Sequence, residues 1–172
     1  MASDNANQAE TVAPVNREQM IARAWKGFFD TSGRVNGILE KQLKHNFGLS
    51  LSDYNILLSL WEAPSHTQRM GEIAERVVFS PSRVTYLITN LVRDGLVEKV
   101  PSQFDRRGFE ACLTPQGEKA IQAATQLHQT IIRQYLLDDM SDEEIDQLVS
   151  VFATLESRTR VNTEALVDSS FL

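Results

Sequence analysis

The segment from Ser80 to Gly95 constrains the fold of this chain most, because it specifies both ends of one amphipathic helix. Ser80 can accept an N-cap hydrogen bond, Pro81 suits the first helical position, and Gly95 can adopt the left-handed conformation that ends a helix. Between them, apolar residues recur at the spacing of a helix with one buried stripe. These residues are Val84, Leu87, Ile88, Leu91 and Val92.

The opposite face of this helix carries hydrogen-bonding groups and two cations, with no carboxylate before Asp94. Its residues are Ser82, Arg83, Thr85, Tyr86, Thr89, Asn90 and Arg93. The major groove of DNA offers acceptors to Arg and both donors and acceptors to Ser, Thr and Asn, so this face suits base recognition. The same pattern is typical of a surface helix that meets only water, and the neighbouring segments must decide between the two.

Length and composition predict one domain, or a small domain with an oligomerisation extension, since 172 residues with 42% hydrophobic content can bury a core. No apolar run approaches the roughly 20 residues of a membrane-spanning helix, and no secretion signal opens the chain. We therefore expect a cytoplasmic protein without membrane contact. The single cysteine, Cys112, excludes an intramolecular disulfide and is compatible with a reducing compartment.

Charge is unevenly distributed along the chain. From Arg69 to Arg107, seven basic residues face five acidic ones, a balance of +2, whereas from Gly108 to the end four basic residues face eleven acidic ones, a balance of −7. A mildly basic centre and an acidic C-terminal third are expected if the centre approaches phosphate and the tail does not.

The pattern before Ser80 predicts three helices. Residues 1–15 are polar and are predicted to be a disordered arm. A first helix is predicted from about residue 17 toward 47, a second is capped by Ser52 and closed by Pro64, and a short third spans about 70–77. Two short helices joined by a tight turn, the second with a polar face, form a helix-turn-helix.

The pattern after Gly95 predicts a hairpin and two long helices. Segments 96–100 and 109–113 read as strands, and in the second Phe109, Ala111 and Leu113 share one face. The sequence Asp105-Arg106-Arg107-Gly108 lies at the hairpin tip, which makes the hairpin a wing. Thr114-Pro115 opens a helix to about Leu137, and Ser141 with Glu144 caps the last one.

In this order the motifs resemble the MarR family of bacterial winged helix-turn-helix transcription regulators, over roughly residues 30–157. The pieces that carry the resemblance are Gly48-Leu49-Ser50, Met70-Gly71-Glu72-Ile73-Ala74, Ser80-Pro81-Ser82-Arg83-Val84-Thr85, Leu91-Val92-Arg93-Asp94-Gly95-Leu96-Val97, Asp105-Arg106-Arg107-Gly108 and Leu113-Thr114-Pro115-Gln116-Gly117. Each piece alone is weak, whereas their joint order and spacing are specific. The fold expected is mainly α with a small β-hairpin wing, a winged helix-turn-helix with N- and C-terminal dimerisation helices.

The resemblance implies a homodimeric repressor that binds a pseudo-palindromic operator and releases it when a small ligand or an oxidant arrives. Independently, the bulky Trp25, Phe28 and Phe29 of the first helix and the apolar stripe of the last one offer more hydrophobic surface than a small winged domain needs. The expected organisation is an arm (1–15), a dimerisation helix (16–47), a winged DNA-binding domain (48–114) and C-terminal dimerisation helices (115–172).

Similarity to the family also assigns the wing residues. An Arg at a hairpin tip can enter the narrow minor groove, and Arg107 is the expected entrant, with Asp105 as its brace and Arg106 on a phosphate. Many family members carry cations where this chain has Tyr86 and Asn90, so its recognition face is less cationic. The predicted DNA contacts are Ser80, Ser82, Arg83, Thr85, Tyr86, Asn90, Arg106 and Arg107.

A small-molecule pocket is expected where the first, second and fifth helices of a family member meet the DNA-binding lobe. Candidate lining residues are Trp25, Phe29, Tyr54, Leu57 and His128, and an aromatic or lipophilic acid is the expected effector. The alternative is that each of these side chains is an ordinary core or interface residue.

Two other functions remain open. Cys112 could sense oxidants, although it lies on a wing strand with Glu110 on the same face, and a neighbouring carboxylate raises the pKa of a thiol. The winged fold could also serve as a protein-interaction module without DNA. The three histidines lack ligand-pair spacing, and no phosphate loop or nucleophile motif is present, so the sequence predicts no metal, cofactor or catalytic residue.

Overall fold

The computed structural model describes residues 16–102 and 108–168, with side chains to residue 159. This part of the chain contains six α-helices and a three-stranded sheet. The helices are α1 (Arg17–Phe47), α2 (Leu51–Trp61), α3 (Met70–Val77), α4 (Pro81–Arg93), α5 (Pro115–Ile132) and α6 (Asp142–Asp168). The strands are β1 (Thr67–Arg69), β2 (Val97–Pro101) and β3 (Phe109–Leu113). The mainly α architecture with a small β wing is confirmed, and the predicted arm, residues 1–15, lies outside the described residues.

The chain divides into two compact units, the first ending at Ile38 and the second beginning at Leu39. In the first unit, α1 starts behind an Asn16 cap whose side-chain oxygen accepts from the Gln19 N–H at 2.9 Å. Residues 16–29 of this helix are exposed. The predicted start and end of α1 are both confirmed.

The second unit contains the hydrophobic core. Leu43 and Leu49, the inner faces of α2, α3, α4 and α5, and the strands contribute to one cluster, in which Ile56, Ile73, Val84, Ile88 and Ile121 are fully buried. Burying a side chain of this size contributes about 1.5 to 3 kcal/mol. The core thus fixes α3 and α4 against α2, α5 and the sheet.

The sheet has one strand more than the sequence predicted. β3 lies in the centre, antiparallel to both β2 and β1. β1 has only three residues, too few for a recognisable alternating pattern, and its register pairs Gln68 with Ala111. The predicted alternation in β3 is confirmed at Ala111 and Leu113, which are buried, whereas Phe109 at the start of the strand is 58% exposed.

The end of α5 differs from a regular helix. After Ile132 the chain continues as a π-helical turn (Arg133–Leu137), and α6 then starts at a capping box in which Ser141 and Glu144 exchange hydrogen bonds of 2.9 and 3.3 Å. That capping box was predicted and is confirmed. Within the residues that the structure describes, no helix is both long and apolar enough to span a membrane.

Candidate nucleic-acid interface

α3 and α4 form a helix-turn-helix around the turn Val78-Phe79-Ser80. The Phe79 N–H donates to the Ala74 carbonyl at 3.0 Å, which closes the end of α3. This closure places Val78 in the left-handed region, at φ +55° and ψ +44°, where glycine or asparagine is usual. The Val78 side chain is 87% exposed beside the start of α4.

The start of α4 is formed as predicted. The Ser80 hydroxyl accepts from the Arg83 N–H at 3.4 Å and Pro81 occupies the first helical position. Of the predicted buried stripe, four members are buried: Val84, Leu87, Ile88 and Leu91. Val92 is exposed, contrary to the prediction, because it lies about 80° around the helix from Val84 and falls at the edge of the stripe.

The outward face of α4 presents most of the predicted DNA contacts to solvent. Ser80, Ser82, Arg83, Thr85 and Tyr86 are exposed. The Tyr86 ring is 66% exposed, so it does not serve the core. Asn90, one helical turn further on, is half-buried.

Two threonine hydroxyls on this face already have acceptors within the helix. Thr85 Oγ1 donates to the Pro81 carbonyl at 2.9 Å, and Thr89 Oγ1 donates to the Thr85 carbonyl at 2.7 Å. Each hydroxyl has a single proton, so toward DNA these oxygens can only accept. The groups they fit are the exocyclic amines of adenine and cytosine.

Arg83 leans onto a neighbouring helix. Its guanidinium lies over the Phe79 ring, 4.0 Å from the ring centroid, and its Nη2 donates to Ser52 Oγ at 2.9 Å. Ser52 was predicted to cap α2, which is wrong: Ser50 is the cap, because Asp53, three residues on, completes the reciprocal capping box. Ser52 instead lies inside the first turn, where its hydroxyl reaches Arg83.

Lys99, which the sequence did not single out, lies beside the outward face of α4. Its Nζ lies 3.5 Å from Thr89 Oγ1, which connects β2 to α4. In the register, Lys99 pairs with the buried Ala111, so it lies on the core-facing side of the hairpin although it is exposed. The signal was available in the alternation of Val97 and Lys99 along the strand, which places both on one face.

The base of the wing is paired up to its last described residues. The Ser102 N–H donates to the Gly108 carbonyl at 2.9 Å, and Ser102 Oγ donates to Glu110 at 2.7 Å. The predicted groove entrant Arg107, its brace Asp105 and the phosphate contact Arg106 lie outside the described residues. Their roles stay predictions.

The predicted effector residues fall in both units. In the first, Trp25 and Phe29 are 64% and 65% exposed, with ring centroids 6.1 Å apart. In the second, Tyr54 and Leu57 are buried in the core, and the half-buried His128 stacks on Tyr54 with centroids 5.0 Å apart. Burial raises the pKa of Tyr54 and lowers that of His128.

Cys112 is half-buried on the face of the sheet opposite the core. Its cross-strand neighbours are Thr67 and Glu98, and its Sγ lies 3.5 Å from the Leu113 carbonyl oxygen. Among the described residues, no group of three or more His, Cys, Asp and Glu side chains could hold a metal ion.

Comparison with known proteins places this geometry among transcription regulators. Residues 49–109 match the MarR family. The chain is 28% identical over 153 residues to the HTH-type transcriptional repressor YetL of Bacillus subtilis, covering 89% of each chain. The crystal structure of AbsC, a MarR family regulator from Streptomyces coelicolor, superposes with a TM-score of 0.76 at 26% identity, covering 84% of this chain and 96% of AbsC.

A protein captured on DNA shares the fold. Sco3205, a MarR family regulator from Streptomyces coelicolor in complex with DNA, superposes with a TM-score of 0.75 at 22% identity. The match covers 86% of this chain and 91% of that one.

Proposed function

We propose that this chain is a DNA-binding transcriptional regulator of the MarR family rather than an enzyme, and that it is a repressor that binds a pseudo-palindromic operator as a homodimer. A small effector then releases the operator. A regulator of chromosomal DNA acts in the cytoplasm, and that is the location we propose for this chain.

The observation that carries this proposal is the outward face of α4. It is exposed, it has hydrogen-bonding groups and two cations, and it carries no carboxylate within α4, so that it can approach DNA. The proposed contacts to base edges are Ser82, Thr85, Tyr86 and Asn90. Ser80, Arg83 and Lys99 are the proposed contacts to phosphates, which fix the orientation of the helix in the groove.

At the wing, we expect Arg107 to enter the minor groove, with Asp105 bracing it and Arg106 on a phosphate. Operator selection from fragmented genomic DNA, followed by anisotropy titration at fixed salt, tests this arrangement. Arg107→Ala should weaken binding at least tenfold, since an Arg in a narrow minor groove adds attraction that a neutral side chain lacks. Arg133→Ala, which removes a cation outside the helix-turn-helix, is the matched control. If Arg107→Ala binds the operator with unchanged affinity, Arg107 does not act as the minor-groove contact.

Salt dependence separates DNA recognition from a protein-interaction module with the same fold. Phosphate contacts make log K fall linearly with log salt, with a slope of about −0.9 per neutralised phosphate. A slope of −4 or steeper supports the proposed function. A protein that retains no DNA at low salt but captures another protein contradicts it.

The homodimer is supported by apolar surface in each unit. In the first, large side chains of α1 face solvent: Met20, Ile21, Trp25, Phe28 and Phe29. In the second, Val149, Phe152 and Leu155 of α6 are exposed, and Val149 and Phe152 line a groove with Leu137 and Leu148. A second copy of the chain is the proposed occupant of both surfaces. Sedimentation that finds a monomer at micromolar concentration refutes it.

The proposed effector is an aromatic or lipophilic acid, and the Tyr54–His128 stack is the observation that supports its site. Leu57, which is buried in the same unit, is the other proposed contact there. Because Tyr54 and Leu57 are buried, an effector reaches them only if the packing opens, which is a means of coupling binding to a change in the DNA-binding unit. Benzoate and octanoate are suitable probes. Release of labelled operator, lost in His128→Ala, is the expected result.

A further inference from the structure

Arg83 is held by two residues from outside its own helix. Phe79 precedes α4 and places its ring under the guanidinium at 4.0 Å, and Ser52, 31 positions earlier on α2, accepts from Nη2 at 2.9 Å. Stacking on a ring and a hydrogen bond to a hydroxyl restrict different degrees of freedom of the planar guanidinium. Together they define one position for a long side chain that is otherwise exposed.

The partners of Arg83 differ in kind from those of neighbouring arginines. Arg69 lies 3.7 Å from a Glu110 carboxylate oxygen, Arg76 pairs with Glu62, and Arg93 Nε donates to Asp94 at 3.1 Å. Among the described residues, the contacts of Arg83 are with a hydroxyl and an aromatic ring, both neutral. They position its charge without compensating it.

We propose that Ser52 and Phe79 are positioning residues that hold Arg83 ready to bind a phosphate of the operator backbone. This inference rests on the proposed function. A side chain drawn toward α2 lies at the flank of the recognition helix, where the DNA backbone passes, and not at the centre of the face that meets base edges. A preorganised guanidinium also loses less conformational entropy on binding than a freely rotating one.

A double-mutant cycle in the full-length protein tests the inference. Arg83→Ala, Ser52→Ala and the double variant are titrated with the selected operator and with unrelated DNA at several salt concentrations. Arg83→Ala is expected to lower the affinity for both DNAs about tenfold and to reduce the slope of log K against log salt by about 1. Ser52→Ala is expected to weaken binding two- to fivefold at an unchanged slope, and to have no further effect once Arg83 is absent.

Conservative variants keep the test independent of folding. Ser52→Thr retains the hydroxyl and should bind like the wild type. Phe79→Tyr retains the ring and should bind DNA like the wild type. Phe79→Leu retains only apolar bulk, and its DNA affinity should fall by the same factor as that of Ser52→Ala. Equal thermal midpoints of Ser52→Ala and Ser52→Thr show that the difference in binding arises at Arg83 and not from unfolding.

Three results overturn the inference. An equal loss from Ser52→Ala with and without Arg83 shows that Ser52 acts by itself, and a changed base preference in Arg83→Ala at an unchanged salt slope shows a base contact. If the wild-type protein binds no DNA, both the proposed function and this inference are wrong. In the first two results the wild type still binds its operator, so the proposed function stands.

Discussion

Gly117 gives the sharpest test of how the wing is attached to α5. It lies buried in the first turn of α5, and a Cβ at this position would lie 2.0 Å from the Leu96 carbonyl oxygen and 3.0 Å from the Leu96 carbonyl carbon. The same carbonyl accepts from the Thr114 N–H at 3.1 Å. Thr114 Oγ1 in turn donates to the Gly95 carbonyl at 2.7 Å. Gly117→Ala therefore requires backbone to move on one side or the other.

Two opposing terms determine the expected magnitude. Alanine in a helix is favoured over glycine by about 1 kcal/mol. Carbon and oxygen atoms in contact normally lie more than 3 Å apart, so the added Cβ forces the backbone to shift by about 1 Å. Overpacking of this kind destabilises the folded state by about 3 kcal/mol. The net loss of about 2 kcal/mol is a substantial part of a typical unfolding free energy of about 5 to 15 kcal/mol.

Urea denaturation followed by circular dichroism measures this loss. Gly71→Ala is the matched control, because Gly71 is also helical and has nothing within 4 Å of the added Cβ. It should gain stability by roughly 0.5 to 1 kcal/mol. The same Gly→Ala substitution should therefore lower the unfolding free energy at position 117 and raise it at position 71. If Gly117→Ala is as stable as Gly71→Ala, the close approach to Leu96 does not constrain the fold and the reasoning is wrong.

Three further outcomes are expected. Val78→Asn should raise the unfolding free energy by about 1 kcal/mol in urea titrations, because asparagine tolerates the left-handed conformation that costs a β-branched residue roughly 1 to 2 kcal/mol; a loss of stability contradicts this account of the turn. Burial lowers the pKa of His128 below its usual value of 6.5. The contribution of His128 to the unfolding free energy is therefore greatest above pH 6.5, and it decreases at lower pH because the unfolded chain takes up a proton that the half-buried imidazole resists. His128→Phe should show a shallower loss between pH 7.5 and 5 than the wild type. Lys99→Ala should weaken binding to the operator and to unrelated DNA by the same factor, and should reduce the slope of log K against log salt by about 1. A loss of affinity for the operator alone would show a base contact instead.

Helix ends were the most predictable features of the fold, because the residues that form them act locally. Ser80 with Pro81, Thr114 with Pro115, and Ser141 with Glu144 each satisfy unpaired N–H groups of their own first turn. The error at α2 has the same local origin. Ser50 and Ser52 both suit a cap, and the position of Asp53 favours Ser50 by completing the capping box.

What the sequence did not disclose depends on contacts between distant segments. β1 is a strand only because β3 offers it a partner, and Ser52 reaches Arg83 only because the core packs α2 beside α4. Lys99 was missed for a related reason. Its alternation with Val97 was visible, but the proximity of Thr89 depends on how the hairpin folds back against α4.

The contacts that we propose assign affinity and sequence preference to different groups on the outward face of α4. The Thr85 and Thr89 hydroxyl protons are used within the helix, and Arg83 and Lys99 lie along its margins against Ser52 and Thr89. The central outward face therefore carries neutral groups: Ser82, Tyr86, the half-buried Asn90 and two threonine oxygens that can accept but not donate. Neutral groups contribute little to counterion release but distinguish base edges, whereas cations at the margin bind any phosphate. Substitutions at the centre should accordingly change which operator is chosen, and substitutions at the margin should change how tightly any DNA is held.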